Sequence, residues 1–452
     1  LPIVKYLIEN NPSLTLQNGK NGWTAIHYAA KGGSAPVIEA LINAGLDLNA
    51  RTNDDSHVLH IAAQNDNLPI VKYLIDNNPS LTLQNDNDGW TAIHYAAAGG
   101  SAPVIETLIK AGLDLNARTS DDSHVLHIAA QSDNLPIVKY LIENNPSLAL
   151  QNDKNGWTAI HYAAKGGSAS VIDALIKAGL DLNASTNDDS HVLHIAAQND
   201  NLPIVKYLIE NNPSLTLQNG KNGWTAIHYA AKGGSAPVIE ALINAGLDLN
   251  ARTNDDSHVL HIAAQNDNLP IVKYLIDNNP SLTLQNDNDG WTAIHYAAKG
   301  GSAPVIEALI QAGLDINERT NAGAHVLHIA AGNNNLPIVK YLIEINLPVM
   351  LQIDNDGRTA IHYAAEGGSV PVMETLIQVG FNINGRTNNG AHVLHIAAWN
   401  DNLPIVEYVI IMNPPIILEK DNDGWTALDY ANKGDNFLVL ETLIQAELEL
   451  MH

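Results

Sequence analysis

Eighteen of the nineteen histidines in this chain lie in two recurring tetrads, T-A-I-H and H-V-L-H, so imidazole is the first candidate for chemistry. In H-V-L-H, His57 and His60 stand three residues apart, a spacing that lets two rings on one helical turn face a single metal ion. Zinc takes further ligands, however. The chain has no cysteine, and Asp54 and Asp55 are the nearby carboxylates. The missing ligands favour a structural use, with the first His of H-V-L-H capping its helix in the place where the other tetrad has Thr. No metal is expected.

The loop Asp86-Asn-Asp-Gly89 resembles half of a calcium loop, but the bidentate Glu due six positions after the Gly is Tyr95. A turn built from Asn, Asp and Gly accounts for the same residues. Nucleophile elbows, phosphate-binding glycine loops and dinucleotide fingerprints are absent from the sequence. No catalytic residue and no cofactor are expected, and the chain does not read as an enzyme.

Recognition is better supplied. Trp23, Trp90, Trp157, Trp224, Trp291 and Trp425 each precede a tetrad Thr, and Arg358 takes that place once. Tryptophan and arginine are frequent interface anchors. Arg51, Arg118, Arg252, Arg319 and Arg386 form a second series, interrupted by Ser185. An Arg laid over a Trp face from a neighbouring loop would make a stiffening cation–π lattice, the alternative use of the same side chains. After the tetrads come Lys31, Lys165, Lys232, Lys299 and Lys433 in one series, with Ala98 and Glu366 as exceptions, and Gln64, Gln131, Gln198 and Gln265 in the other.

These residues must be positioned by a repeat. Tetrads opened by Thr24, Thr91, Thr158, Thr225, Thr292, Thr359 and Thr426 are 67 residues apart, and His57, His124, His191, His258, His325 and His392 open the others at the same interval. The Thr-type and His-type units therefore alternate at 33 and 34 residues. In the segment Thr24 to Ala30, small and apolar residues at helical spacing predict a short, closely packed helix. Ser34 and Pro36 then start a second helix with Val37, Ile38, Leu41 and Ile42 as its buried stripe, and Gly45 stops it in the left-handed conformation. In the His-type unit Asn67 and Pro69 start the second helix, and Asn78 and Pro79 end it. A polar Asn/Asp/Gly loop follows.

A period near 33 carrying T-x-L/I-H-x-A-A, a Gly turn and a V/I-x-x-L-I helix resembles the ankyrin-repeat family over essentially the whole chain. The resemblance implies an all-α solenoid of helix-turn-helix units joined by hairpin loops, with about thirteen full repeats. It implies that the fourth-position His bonds to loop backbone and that Trp and Lys positions border the concave partner surface. One unit cannot bury its own apolar face, so neighbours must stack, giving a single elongated body on the order of 120 Å long. Residues 1–18 match only a second helix and its loop, so the chain reads as cut from a longer array. Residues 19–420 hold twelve repeats, and residues 421–452 form a C-terminal cap marked by Asp429, Asn432 and Glu447 in place of His, Ala and Gly.

With 23 basic and 48 acidic residues, a net charge of −25 and no basic cluster, nucleic acid and anionic membranes are excluded as partners. No apolar run is long enough to span a bilayer. Residues 1–97 are identical to residues 202–298, which points to segmental duplication. Beyond residue 316 the units diverge, with Arg358 for Trp and Trp399 for Gln. The expected function is a monomeric protein-interaction scaffold that grips a protein partner through loops and concave helices. Arg358, Glu366, Trp399 and Trp425 are its most specific contacts and the uniform Trp ladder a secondary one. Alternatives are a spacer or elastic rod without a ligand, and a non-catalytic fragment of an enzyme or toxin whose active domain lies upstream. Long near-identical arrays look like those of large host-directed proteins of intracellular or symbiotic bacteria, which implies a cytoplasmic setting, including a host cytosol, and a host protein as partner.

Overall fold

The computed structural model describes residues 1–11, 18–345 and 352–450. Residues 12–17 of the N-terminal partial repeat and the terminal His452 thus lie outside the described residues. Among the described residues the ordered elements are α-helices and short 3-10 turns, with isolated antiparallel bridges such as Arg51–His57 at the loop bases. The chain divides into two compact units, Leu1–Lys221 with Asn244–Gly246 and Asn222–Ile243 with Leu247–His452, where the periodicity alone suggests one continuous array. Both are built from the same repeat.

Within a repeat, a first helix such as Ala92–Gly99 is followed by a second, Ala102–Lys110. The first is short because Gly100 follows at φ +83°, a left-handed turn that suits glycine and that Asp66 and Asp133 take in the His-type repeats. Ser101 caps the second by accepting the Val104 N–H at 3.3 Å, with Pro103 in the first turn, where no donor is lost. In the His-type repeat the second helix, Leu135–Asn144, is extended by a 3-10 segment, Pro146–Leu150.

The core is aliphatic and lies between helices. Ala92, Ile93, Ala96 and Ala97 of a first helix and Val104, Ile105 and Leu108 of its second helix are essentially fully buried. Alanines permit the closest approach. A Cβ on Gly166, which ends the first helix Ala159–Gly166, would stand 2.2 Å from the carbonyl oxygen of Gln131, which ends the preceding first helix Val125–Gln131. First helices therefore stack more tightly than second helices.

Asn67 occupies the start of a second helix as its sequence position suggests, yet its side chain does not cap it. Its Nδ2 instead donates to the carbonyls of Ala30 and Lys31 in the preceding repeat, at 2.7 and 2.9 Å. Asn134, Asn201, Asn268, Asn335 and Asn402 make the same bridge. These amides satisfy carbonyls that a helix end leaves without partners.

The last repeat is only partly polar. Asp429 replaces the tetrad His and accepts the Thr426 N–H at 2.8 Å. With Glu447 in place of the stopping Gly, the final helix runs on as Phe437–Leu450. It leaves Phe437 78% and Leu438 65% exposed, so this face is apolar where a cap would be hydrophilic.

Candidate partner-binding site

The tetrad histidines are fasteners. His94 is wholly buried; its Nδ1 accepts the Thr91 N–H at 3.1 Å, so the ring proton is on Nε2, which donates to the Ala117 carbonyl at 3.1 Å. His161 repeats this with Thr158 and Ala184. In the His-type repeat, His127 Nε2 donates to Gln151 O at 3.2 Å. Burial holds the imidazoles of His94, His127 and His161 down to about 4.

The first His of H-V-L-H does not cap, contrary to the sequence expectation. His57, His124, His258 and His392 are buried with neither ring nitrogen hydrogen-bonded. His57 lies instead on His60 with ring centroids 3.9 Å apart, and the next ring in the column is Tyr95, 4.8 Å from His60. His60 has no lone pair left for a metal, since Nδ1 faces the His57 N–H and Nε2 binds Gln84 O. Among the described residues no group of three potential ligand side chains is placed to hold a metal ion.

The loop carboxylates are equally committed. Asp153 Oδ1 accepts the N–H groups of Asn155 and Trp157, each at 2.8 Å, and Oδ2 accepts the Tyr162 hydroxyl at 2.8 Å. Tyr162 also pairs with Ser123 of the preceding repeat at 2.7 Å. Asp86, of the loop that resembles half of a calcium site, is held the same way: Oδ1 accepts the Trp90 N–H at 2.8 Å and Oδ2 the Tyr95 hydroxyl at 2.6 Å, in an Asx-type turn locked to two repeats. Asp153→Ala leaves two amides and a phenol short of an acceptor and is expected to cost about 2–3 kcal/mol in urea unfolding. A change under ~0.5 kcal/mol would show that solvent replaces the carboxylate.

Each loop presents its tryptophan half-buried. Trp157 meets Tyr162 edge-on at 5.3 Å, and Lys165 lies 5.8 Å over the ring. Lys31, Lys232 and Lys299 cover Trp23, Trp224 and Trp291 in the same way. The cation is thus the repeat's own lysine. The arginine expected there points elsewhere: Arg118 donates to the Asp122 and Asn152 carbonyls and to Gln151 Oε1, tying one loop to the next. Where Trp gives way to Arg358, the lysine gives way to Glu366, and the two form an ion pair at 3.1 Å. The loop-to-helix tie survives with its charges reversed.

The diverged end gathers the four residues singled out above. Arg358, Glu366, Trp399 and Trp425 line one pocket of about 410 Å³, together with Thr387, Asn389, Ile396, Tyr430 and Lys433. Trp399 is 46% exposed and sets its ring edge-on to Tyr430 at 6.2 Å, while Trp425 meets Tyr430 at 5.8 Å. Asp421 also lines it. Burial raises its carboxyl, but hydrogen bonds from the Trp425 N–H and the Tyr430 hydroxyl outweigh this and hold it below the usual range. The pocket lies where hairpin loops meet first helices, and its volume falls within the range of small-ligand and side-chain sites. The uniform tryptophans Trp23, Trp90, Trp157, Trp224 and Trp291 do not join it.

A further surface feature has no counterpart in the sequence reading. The 3-10 segments of the first four His-type repeats expose Leu83, Leu150, Leu217 and Leu284 by 78–83%, and Leu418 holds the same place in the last, 51% exposed. Their 67-residue spacing was available, but a Leu in P-S-L-x-L reads as core; its partner Leu148 is 1% exposed.

The family described as ankyrin repeats (3 copies) matches residues 1–186 and 193–416 in a series of segments, and ankyrin repeats (many copies) match residues 170–209. The human transient receptor potential cation channel subfamily A member 1 is 26% identical over 66% of this chain and 28% of its own length. The chicken nuclear factor NF-kappa-B p105 subunit is 29% identical over 49% of the chain and 23% of its own length. Alpha-latrotoxin-Lh1a of Latrodectus hasselti is 34% identical over 29% of the chain and 10% of its own length. The chain therefore spans less than a third of each of these relatives.

Proposed function

The chain belongs to the ankyrin-repeat family, and from that premise we propose that it is a scaffold that binds a protein partner along its loops and first helices, with specificity concentrated at the pocket around Trp399. Ankyrin repeats generally serve as protein-interaction modules, and the fold supplies rigid, repeated loops rather than a catalytic centre. The observation that carries the reading is the convergence of Arg358, Glu366, Trp399 and Trp425 on one open pocket. Arg358, Glu366 and Trp399 are positions that depart from the recurrent pattern, Trp425 is the recurrent Trp of the last repeat, and the two tryptophans are the aromatic type that dominates interface energetics. An extended partner segment suits a line of such contacts, each weak alone and strong together. Among the described residues no helix is long and apolar enough to cross a membrane.

A partner isolated on the immobilised chain should lose at least tenfold in affinity for Trp399→Ala with Trp425→Ala, by calorimetric titration. Circular dichroism should show the fold intact, because Trp399 is already 46% exposed. Unchanged affinity would remove the pocket from the interface. Failure of the immobilised chain to retain any partner would leave the spacer reading standing. Recognition of a host protein, in a host cytosol, is the setting we infer from the array's near-identical repeats; capture from host extract but not from other extracts tests it.

A further inference from the structure

The pocket around Trp399 already holds a cation of its own. Lys433 Nζ lies 4.7 Å from the Trp425 ring centroid and 5.9 Å from that of Trp399. In the uniform repeats a lysine meets one ring, as Lys165 meets Trp157 at 5.8 Å. The second ring comes from the preceding repeat, at the position where Gln131 and Gln265 stand in the earlier array. Two indoles around one ammonium make a site whose faces attract positive charge. Glu366, Asp421 and Asp423 stand on its walls, and the chain as a whole carries −25, so the field draws cations inward. About 410 Å³ remains beside the lysine, room for a second long side chain.

We propose that this pocket receives an arginine side chain from an extended segment of the partner, and that Lys433 is a resident occupant which the incoming guanidinium displaces. The inference rests on the scaffold reading above. Guanidinium is planar, stacks on aromatic faces and is more weakly hydrated than ammonium, so it takes the rings while Lys433 returns to water at little expense. Lys433 is exposed, so its departure breaks no buried contact. The arrangement also sets a preference: Arg358 is committed to Glu366 at 3.1 Å, so a partner carboxylate would meet Asp421 and Asp423, and an apolar side chain would have to displace the lysine without replacing its charge.

The test follows the indole N–H resonances of the full chain during titration with the capped tripeptides Gly-Arg-Gly, Gly-Lys-Gly and Gly-Glu-Gly. The arginine peptide should shift Trp399 and Trp425 together and saturably, leave Trp157 and Trp224 in place, and bind more tightly than the lysine peptide. Lys433→Met, which removes the competitor, should tighten arginine binding about fivefold, whereas Trp399→Ala should weaken it at least tenfold. Equal shifts at Trp157 and Trp224 would reduce the effect to general electrostatic attraction. No shift, no gain from Lys433→Met, or preferential binding of the glutamate peptide would overturn the proposal. If a captured partner still depends on Trp399 while the arginine peptide is silent, the scaffold stands and the arginine site falls.

Discussion

Acidification from pH 8 to about pH 5 is expected to unfold this protein, well above the pH at which most carboxylates titrate. The cause is the column of tetrad imidazoles. Burial holds His60, His94, His127, His161, His228, His261, His295 and His328 down to about 4, against 6.5 for the free side chain. Between those two values the unfolded chain binds more protons than the folded one. Stability from these groups is therefore full above about pH 6.5 and falls as pH drops through the window, and His57, His124 and His392, held down to about 3, extend the loss below it. Each such group withdraws about 1.4 kcal/mol per pH unit in between.

The geometry explains why the folded ring resists its proton. His94 Nδ1 accepts the Thr91 N–H, so protonation would set a donor against a donor and bury an unpaired charge. Net charge works in the opposite direction. The isoelectric point is near 4.9, so self-repulsion weakens as pH falls toward it. Loss of helix at pH 5 cannot then come from repulsion, and added salt should not restore it. Helical circular dichroism recorded from pH 8 to pH 4 at low and high salt separates the two. Retention of the helical signal to below pH 4 would overturn the imidazole account.

Gly166→Ala should destabilise the protein by about 3 kcal/mol and split its urea unfolding into two steps. Propensity alone gives the opposite sign, since alanine in a helix is worth about 1 kcal/mol over glycine. Contact decides, because the added methyl meets the Gln131 carbonyl at 2.2 Å and a backbone atom cannot swing aside as a side chain would. Relief requires the first helices to part, and stability in a stacked array is largely interfacial, so repeats on either side should uncouple. Gly332→Ala is the comparison: its methyl would meet a Tyr363 ring carbon at 3.3 Å, which a small ring shift relieves. Urea titration followed by circular dichroism measures both variants. A stabilised Gly166→Ala would mean that the two helices are not held at this distance in solution.

The helices and their glycine stops are legible in the sequence because each depends on spacing within one repeat, and the family resemblance implies the fourth-position His fasteners. Side chains that act between repeats are not. Asn67 sits where a cap belongs but reaches carbonyls 36 and 37 residues back, and Arg118 reaches a glutamine 33 residues ahead. Those partners depend on how far one loop overhangs the next, a tertiary quantity. The pocket lay between these cases. Divergence marks Arg358, Glu366 and Trp399, and Trp425 belongs to the recurrent series, but nothing in their spacing brings them to one cavity or places Lys433 between two rings.

Stacking is also unequal along the array. The first helix Val125–Gln131 of a His-type repeat makes the more extensive contact with the Thr-type helix that follows, Ala159–Gly166, than that helix makes with the next His-type one, Val192–Gln198. Mating surfaces thus come in two unlike kinds that must alternate. Unequal crossing-over within the gene can lengthen or shorten such an array only by even numbers of repeats, because an odd step would set like against like and leave Asn201-type bridges facing the wrong helix ends. The duplicated segment conforms: its offset of 201 residues is three pairs of 67. For this protein the heritable unit of change is the pair, and its reach evolves in quantised steps.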